Sequence, residues 1–162
     1  MLAEQLDRLA NVRLLIGAEP SPPPQQPRRM PGEPRGEDYD AMLIEEALER
    51  LEQGLLDDRN LLGLSPETNA CIERLLAFLE SGRIEVRRYE RAFLHGKAYV
   101  FNDDEGVIAG SSNFTAAGLT SNLELNLGRY DPTPVRQVKG WFDELWEEAT
   151  PYNLAEVYQA RI

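Results

Sequence analysis

Apolar and polar positions change period several times along the chain, and each change predicts an element. Leu2, Leu6 and Leu9 form a short helical pattern over residues 2–10. Val12-Arg13-Leu14-Leu15-Ile16 then reads as a buried strand that ends at Gly17. Seven of the eleven prolines lie between Pro20 and Pro34. Their fixed φ angles and missing N–H donors exclude helix and central strand, so residues 20–37 are expected to form a long exposed proline-rich loop. From Asp38 to Leu56, residues Met42, Leu43, Ala47, Leu48, Leu51 and Leu55 recur at helical spacing among glutamates, giving one buried and one wet face. A second helix opens with Ser65 as N-cap, Pro66 at the first helical position and Glu67 in the first turn. It runs through Leu75, Leu76, Phe78 and Leu79 and stops at Gly82; Cys71 inside it reads as core filling.

The period then shortens to two. Ile84 to Tyr89 alternates as a half-buried strand, and Phe93 to Phe101 and Gly106 to Ser111 read as a hairpin around the turn Asn102-Asp103-Asp104-Glu105-Gly106. Asn122 to Arg129 alternates again, with Leu123, Leu125 and Leu127 on one face and Asn122, Glu124 and Asn126 on the other. After Pro132 and Pro134 a helix carries Val135, Val138, Trp141, Phe142, Leu145 and Trp146, and a short one from Asn153 carries Leu154, Val157 and Tyr158. These aromatics read as core, although a tryptophan can also mark a partner surface. The order of elements predicts an α/β (α+β) fold, a mixed β-sheet flanked by helices, as a single domain over residues 1–162.

Composition narrows the function classes. A chain of 162 residues with 42% apolar and 28% charged residues suits one soluble domain. No apolar run approaches the roughly 18 residues that would cross a membrane. The start, MLAEQLDRLANVR, has acids from its fourth residue and no secretory pattern, so a cytoplasmic protein is expected. One cysteine and one histidine exclude an internal disulfide and a His/Cys zinc cage. The net charge of −11 argues against nonspecific coating of nucleic acid, while leaving room for local basic sites. Arg28, Arg29 and Arg35 share the proline-rich segment, and Arg83, Arg87, Arg88 and Arg91 precede the lone histidine. Either group is solvated surface or a path for an anionic partner, with Arg87 and Arg88 the candidate substrate-binding pair.

The chemistry-bearing residues cluster around that histidine. His95 and Lys97 are two apart on a predicted strand and share a face. Ser111 and Asn113 are two apart at the end of the next strand, which the hairpin can bring alongside, and Glu124 sits on the polar face of the strand after it. A nucleophilic imidazole, a permanent cation and neutral hydrogen-bond donors suit an anionic phosphorus centre, with Glu124 able to fix the imidazole tautomer. The plainer reading of the same residues is a half-buried histidine with polar neighbours.

His95-Gly96-Lys97 and Gly110-Ser111-Ser112-Asn113 resemble the phospholipase D superfamily signature, H-x-K-x4-D followed by G-S-x-N. The following NFTAAGLTSNLELN is similar to single-motif, nuclease-type members, and the likeness covers residues 84–128 best. The resemblance implies that His95 attacks phosphorus to form a phosphohistidine. Lys97 and Asn113 would bind nonbridging oxygens, Ser111 would support that network and Glu124 would orient a histidine. It implies no cofactor and no metal. Since the reaction uses two histidines, it also implies a homodimer that pairs two His95 sites.

Two departures stand out. Asn102 occupies the position of the motif's Asp, with Asp103 and Asp104 beside it, and the interval from His95 to Ser111 is one residue longer than the pattern. Either Asp103 takes that role through a longer turn or the role is lost. The family's domain usually opens with a further strand and helix, which is how an N-terminally shortened copy would read. The strands also resemble phospholipase D-like domains at the front of superfamily-two helicases, and WFDELWEEATPYNLAEVY resembles the junction before the motor. No G-x-x-x-x-G-K-[ST] loop is present in these residues, so a helicase would be a partner or a fusion. The expected function is a metal-independent phosphodiesterase, a nuclease acting on DNA or RNA. A phospholipid substrate is the lesser enzymatic alternative, because no amphipathic helix with a basic polar face is visible. The alternative from another class is a catalytically degenerate module that binds nucleic acid or a helicase partner.

Overall fold

A computed structural model describes residues 8–9, 11–19, 37–94, 98–101, 106–110 and 126–160. Their elements in order are β1 (Val12–Gly17), α1 (Glu37–Leu61), α2 (Pro66–Glu80), β2 (Ile84–Tyr89), β3 (Ala98–Phe101), β4 (Gly106–Gly110), β5 (Asn126–Arg129), α3 (Pro132–Glu148), β6 (Thr150–Pro151) and α4 (Leu154–Gln159). This is the α+β arrangement that the patterning predicts. The described residues fall into two compact units, one within Met1–Leu94 and Ala149–Ile162, the other within His95–Glu148. The proline-rich residues 20–36 and most of the helical pattern over 2–10 lie outside the described residues.

In the first unit β1 and β2 pair in parallel from Val12↔Ile84 to Gly17↔Tyr89. The short β6 adds to β2 antiparallel, with Arg87 opposite Pro151 and Arg88 opposite Thr150. A two-residue strand that contains proline carries no alternation to read, so β6 was not expected from the sequence. On α2, Ile72 and Leu76 are buried with Ala155 of α4, and Leu79 and Tyr158 pack against them. Burial of each large aliphatic side chain stabilises the unit by about 1.5–3 kcal/mol. The end of α1 is tied to α4 by Arg59, whose Nη1 donates to the Val157 carbonyl at 2.8 Å.

The ends of α2 follow the capping expected. The Thr68 N–H donates to Ser65 Oγ at 3.1 Å, and Pro66 stands at the start, where its missing N–H has no intrahelical partner to lose. At the other end Ser81 caps the helix and donates from both its N–H and its Oγ to the Phe78 carbonyl, at 3.1 and 2.6 Å. Gly82 then turns the chain with φ +77°, a left-handed angle that glycine adopts without a Cβ penalty. Two expectations need correction here. The first long helix continues to Leu61 rather than stopping at Leu56, because Asp57-Asp58-Arg59-Asn60 contains no breaker. Cys71 is exposed, not core filling: it precedes Ile72, and one residue turns a helix by about 100°, off the buried stripe.

In the second unit β3, β4 and β5 form an antiparallel sheet in chain order. β3 pairs with β4 from Ala98↔Ala109 to Phe101↔Gly106, which is the expected hairpin; its turn, 102–105, lies outside the described residues. β4 pairs with β5 from Val107↔Arg129 to Gly110↔Asn126. Helix α3 packs on β3 and β4, with Val135 wholly buried and Trp146 only 3% exposed. Phe142 stacks on Trp146 with ring centroids 5.7 Å apart. Trp141 departs from the all-core reading of the aromatics, since it is 39% exposed and lies beside the stripe of buried Val135 and Trp146 and half-buried Val138 and Phe142. The expected strand from Phe93 is also corrected: Phe93 and Leu94 are irregular, and β3 is described only from Ala98.

Candidate functional site

Antiparallel pairing brings three strand ends together. The start of β3 lies beside the end of β4 (Ala98↔Ala109), and the end of β4 beside the start of β5 (Gly110↔Asn126). Each candidate residue is joined in the chain to that same edge. His95 and Lys97 precede Ala98 by three residues and one, Ser111 and Asn113 follow Gly110 by one and three, and Glu124 precedes Asn126 by two. An extended chain reaches at most about 3.6 Å per residue, so the tethers are short. The five side chains, and Asn102 with them, lie outside the described residues.

The Leu94 N–H donates to the Ala18 carbonyl at 3.0 Å, which ties the residue before His95 to the end of β1. Ala18 is buried at 1% exposure. Strand prediction missed this contact because it joins residues far apart in sequence, and Gly17 alone hinted that something close approaches there.

Arg87 and Arg88 are neighbours on β2 and project to opposite faces of the sheet. Arg87 donates from Nε to Glu85 at 2.9 Å, with its Nη2 at 2.8 Å from the same carboxylate. Arg88 donates from Nε to Glu90 at 2.9 Å, holds a longer 4.0 Å ion pair with Glu52 of α1, and lies 5.0 Å over the Tyr152 ring. Each guanidinium is thus held by carboxylates, and the two do not share one face. Arg83 likewise turns inward, donating to the Leu9 carbonyl at 3.1 Å with its guanidinium 5.0 Å over Phe78.

Tyr152 beside Arg88 has its phenol pushed above the ordinary tyrosine value, first by burial and then by the Glu52 carboxylate, against the opposing pull of Arg88. Tyr158 is raised in the same direction, by burial and by Asp58. The first unit also carries an open cleft of about 350 Å³ lined by Leu79, Ile84, Tyr152 and Leu154 among others. Its one ionised side chain is Glu85, so it offers nothing to attract phosphate. Among the described residues no helix is long and apolar enough to cross a membrane.

Comparison with known proteins bears on the family. A family described as cardiolipin synthase, PLD-like domain, matches residues 10–146, which takes in β1, both polar motif segments and most of α3. A comparison with curated proteins finds no match. The match covers most of the chain, including the residues that carry the H-x-K and G-S-x-N elements. The chain belongs to the phospholipase D-like family and so to a superfamily of phosphodiesterase type.

Proposed function

We propose that this chain is a metal-independent nuclease that cleaves DNA or RNA phosphodiesters through a phosphohistidine on His95. The observation that carries the reading is the chain positions of His95, Lys97, Ser111, Asn113 and Glu124. All are joined within three residues to one edge of the β3–β4–β5 sheet, in a chain that matches the phospholipase D-like family. An imidazole nitrogen of His95 attacks phosphorus, the P–N bond forms and the P–O bond to the leaving group breaks. Lys97 and Asn113 hold the nonbridging oxygens where negative charge is concentrated, with Ser111 in the same network and Glu124 orienting a histidine. The departing oxygen takes its proton from a second histidine. Since the chain has one, this comes from a second copy in a homodimer. That second histidine then takes a proton from water, the water oxygen attacks phosphorus, the P–N bond breaks and His95 is restored.

We further propose that residues 1–162 act as one phospholipase D-like domain, because the family match runs across both compact units. A second reading, a module that binds nucleic acid or a helicase partner without cleaving, is favoured by Asn102 at the motif's Asp position and by the net charge of −11. The deciding experiment is cleavage of labelled single-stranded DNA, double-stranded DNA and RNA in EDTA, with wild type beside His95→Ala at concentrations that favour dimers. Cleavage by wild type alone is expected. A folded, dimeric wild type that binds one of these substrates without cutting it would make the binding module the better account.

A further inference from the structure

We infer that the turn between α1 and α2 is a docking surface for a segment of a partner protein that carries apolar and basic side chains together. Leu61 and Leu64 are 83% and 87% exposed, the two most exposed large apolar side chains among the described residues, and Leu62 between them is 41% exposed. A single exposed leucine is ordinary on a protein surface, but three within four residues concentrate apolar area where a partner can remove it from water. The turn that presents them is held at both ends. The Leu62 N–H donates to the Arg59 carbonyl at 3.3 Å, and Ser65 caps α2 through the Thr68 N–H at 3.1 Å.

The charge around the leucines selects the kind of partner. Asp57 and Asp58 in the last turns of α1 and Glu67 in the first turn of α2 are exposed carboxylates. Arg59 is the only basic residue from position 57 to 67, and its guanidinium is engaged, with Nη1 on the Val157 carbonyl at 2.8 Å and Nη2 on Asn60 Oδ1 at 3.0 Å. The leucines therefore lie among net negative charge. A nucleic acid or an anionic lipid surface would meet like charge there. A second copy of this chain docking through the same turn about a twofold axis would bring two sets of these carboxylates together. Lysine or arginine beside apolar residues satisfies both features, since the methylene stems cover leucine while the charged heads reach carboxylates. The inference does not depend on the catalytic reading of His95.

The test titrates the full chain with a synthetic amphipathic peptide of leucine and lysine, beside one in which glutamate replaces every lysine. Wild type should bind the lysine peptide and not the glutamate peptide. Leu61→Ser/Leu64→Ser should weaken that binding by about 10-fold or more. Asp57→Asn/Asp58→Asn/Glu67→Gln should weaken it by about 3- to 10-fold and make it less sensitive to salt. Met42→Ser is the control and should change nothing. Met42 is 44% exposed on the same acidic helix, but it stands nineteen positions before Leu61, about 28 Å along the axis. Leu64→Ser alone, outside both helices, serves where the double variant does not fold.

Equal binding by wild type and the leucine variants overturns the inference, as does an equal loss in Met42→Ser, because general attraction to an acidic chain then accounts for the peptide. Binding to phosphatidylcholine or phosphatidylglycerol vesicles that the leucine variants lose overturns it in favour of a lipid surface. A wild-type dimer that the leucine variants dissociate in sedimentation overturns it in favour of a second copy. Failure of wild type to cleave nucleic acid counts only against the nuclease reading and leaves this test intact.

Discussion

In the unit that holds β1, β2 and β6, the buried surface is spread over a six-residue parallel strand pair and residues from α2 and α4. In the unit that holds β3, β4 and β5, the buried residues described include Val107 on β4 and Val135 and Trp146 on α3. The polar groups differ too. On β2 the arginines are engaged by Glu85, Glu90 and Glu52, whereas the motif residues flank β3, β4 and β5 in the chain. The charged side chains of β2 are thus committed to neighbours within their own unit.

Truncation of the two cores is the sharpest way to break this contrast. Trp146→Ala should cost about 3–5 kcal/mol, because it removes the largest buried side chain of α3 and the partner on which Phe142 stacks. Leu76→Ala should cost about 2–3 kcal/mol, toward the low end for buried leucine, since Ile72, Leu79, Ala155 and Tyr158 share that cluster. Urea unfolding of both variants measures the difference, and equal losses would show that the Phe142–Trp146 stack weighs no more than the α2–α4 cluster.

The arginines of β2 give a smaller contrast. Arg88→Ala should destabilise by about 1–2 kcal/mol, the charged hydrogen bond to Glu90 and the Tyr152 ring contact being discounted for the solvent exposure of the carboxylates. Arg87→Ala should cost less than about 1 kcal/mol, since Glu85 is more than half exposed. The same variants sharpen the assignment of an anionic path: the arginine that contacts phosphate should lower the salt slope of DNA binding by about one when replaced. An unchanged slope in both variants moves the path elsewhere.

The smallest effect is an alkaline one, confined to the first unit. Tyr152 and Tyr158 both have folded-state values raised above 10.0, so the native state favours the neutral phenols. Their contribution is fully present below pH 10 and is lost as pH rises through the folded values, where the unfolded chain releases its protons first. Thermal unfolding midpoints should fall above pH 10, and the fall should be shallower in Tyr152→Phe/Tyr158→Phe. An identical slope in the double variant would separate alkaline lability from these two phenols.

The elements that patterning alone located share a local cause. Ser65, Pro66 and Gly82 bound α2 through hydrogen bonds and backbone angles that involve residues close in sequence, and the β3–β4 hairpin closes over a few residues. The misreadings were of another kind. Cys71 and Trp141 stand next to buried positions, and only the face that packs decides which side of such a helix is wet. Phe93 and Leu94 have strand-like composition, but the Leu94 N–H is taken by Ala18, so these residues are spent on an anchor instead of a ladder. For the candidate site, the spacing of His95, Lys97, Ser111 and Asn113 led from the sequence to the family that the match supports, because a short motif encodes its residue types directly.

The sequence by itself determined the α+β class, the ends of α2, the hairpin and the resemblance to the phospholipase D-like family, since each depends on residues within about one element of one another. Only the tertiary structure decided that three strand ends meet at one edge, that Arg87 and Arg88 face apart and are held by carboxylates, and that Gly17 makes room for Leu94. Those outcomes depend on pairings between segments tens of residues apart, whose register is set by burial and backbone hydrogen bonding across the fold and leaves no periodic trace in the chain.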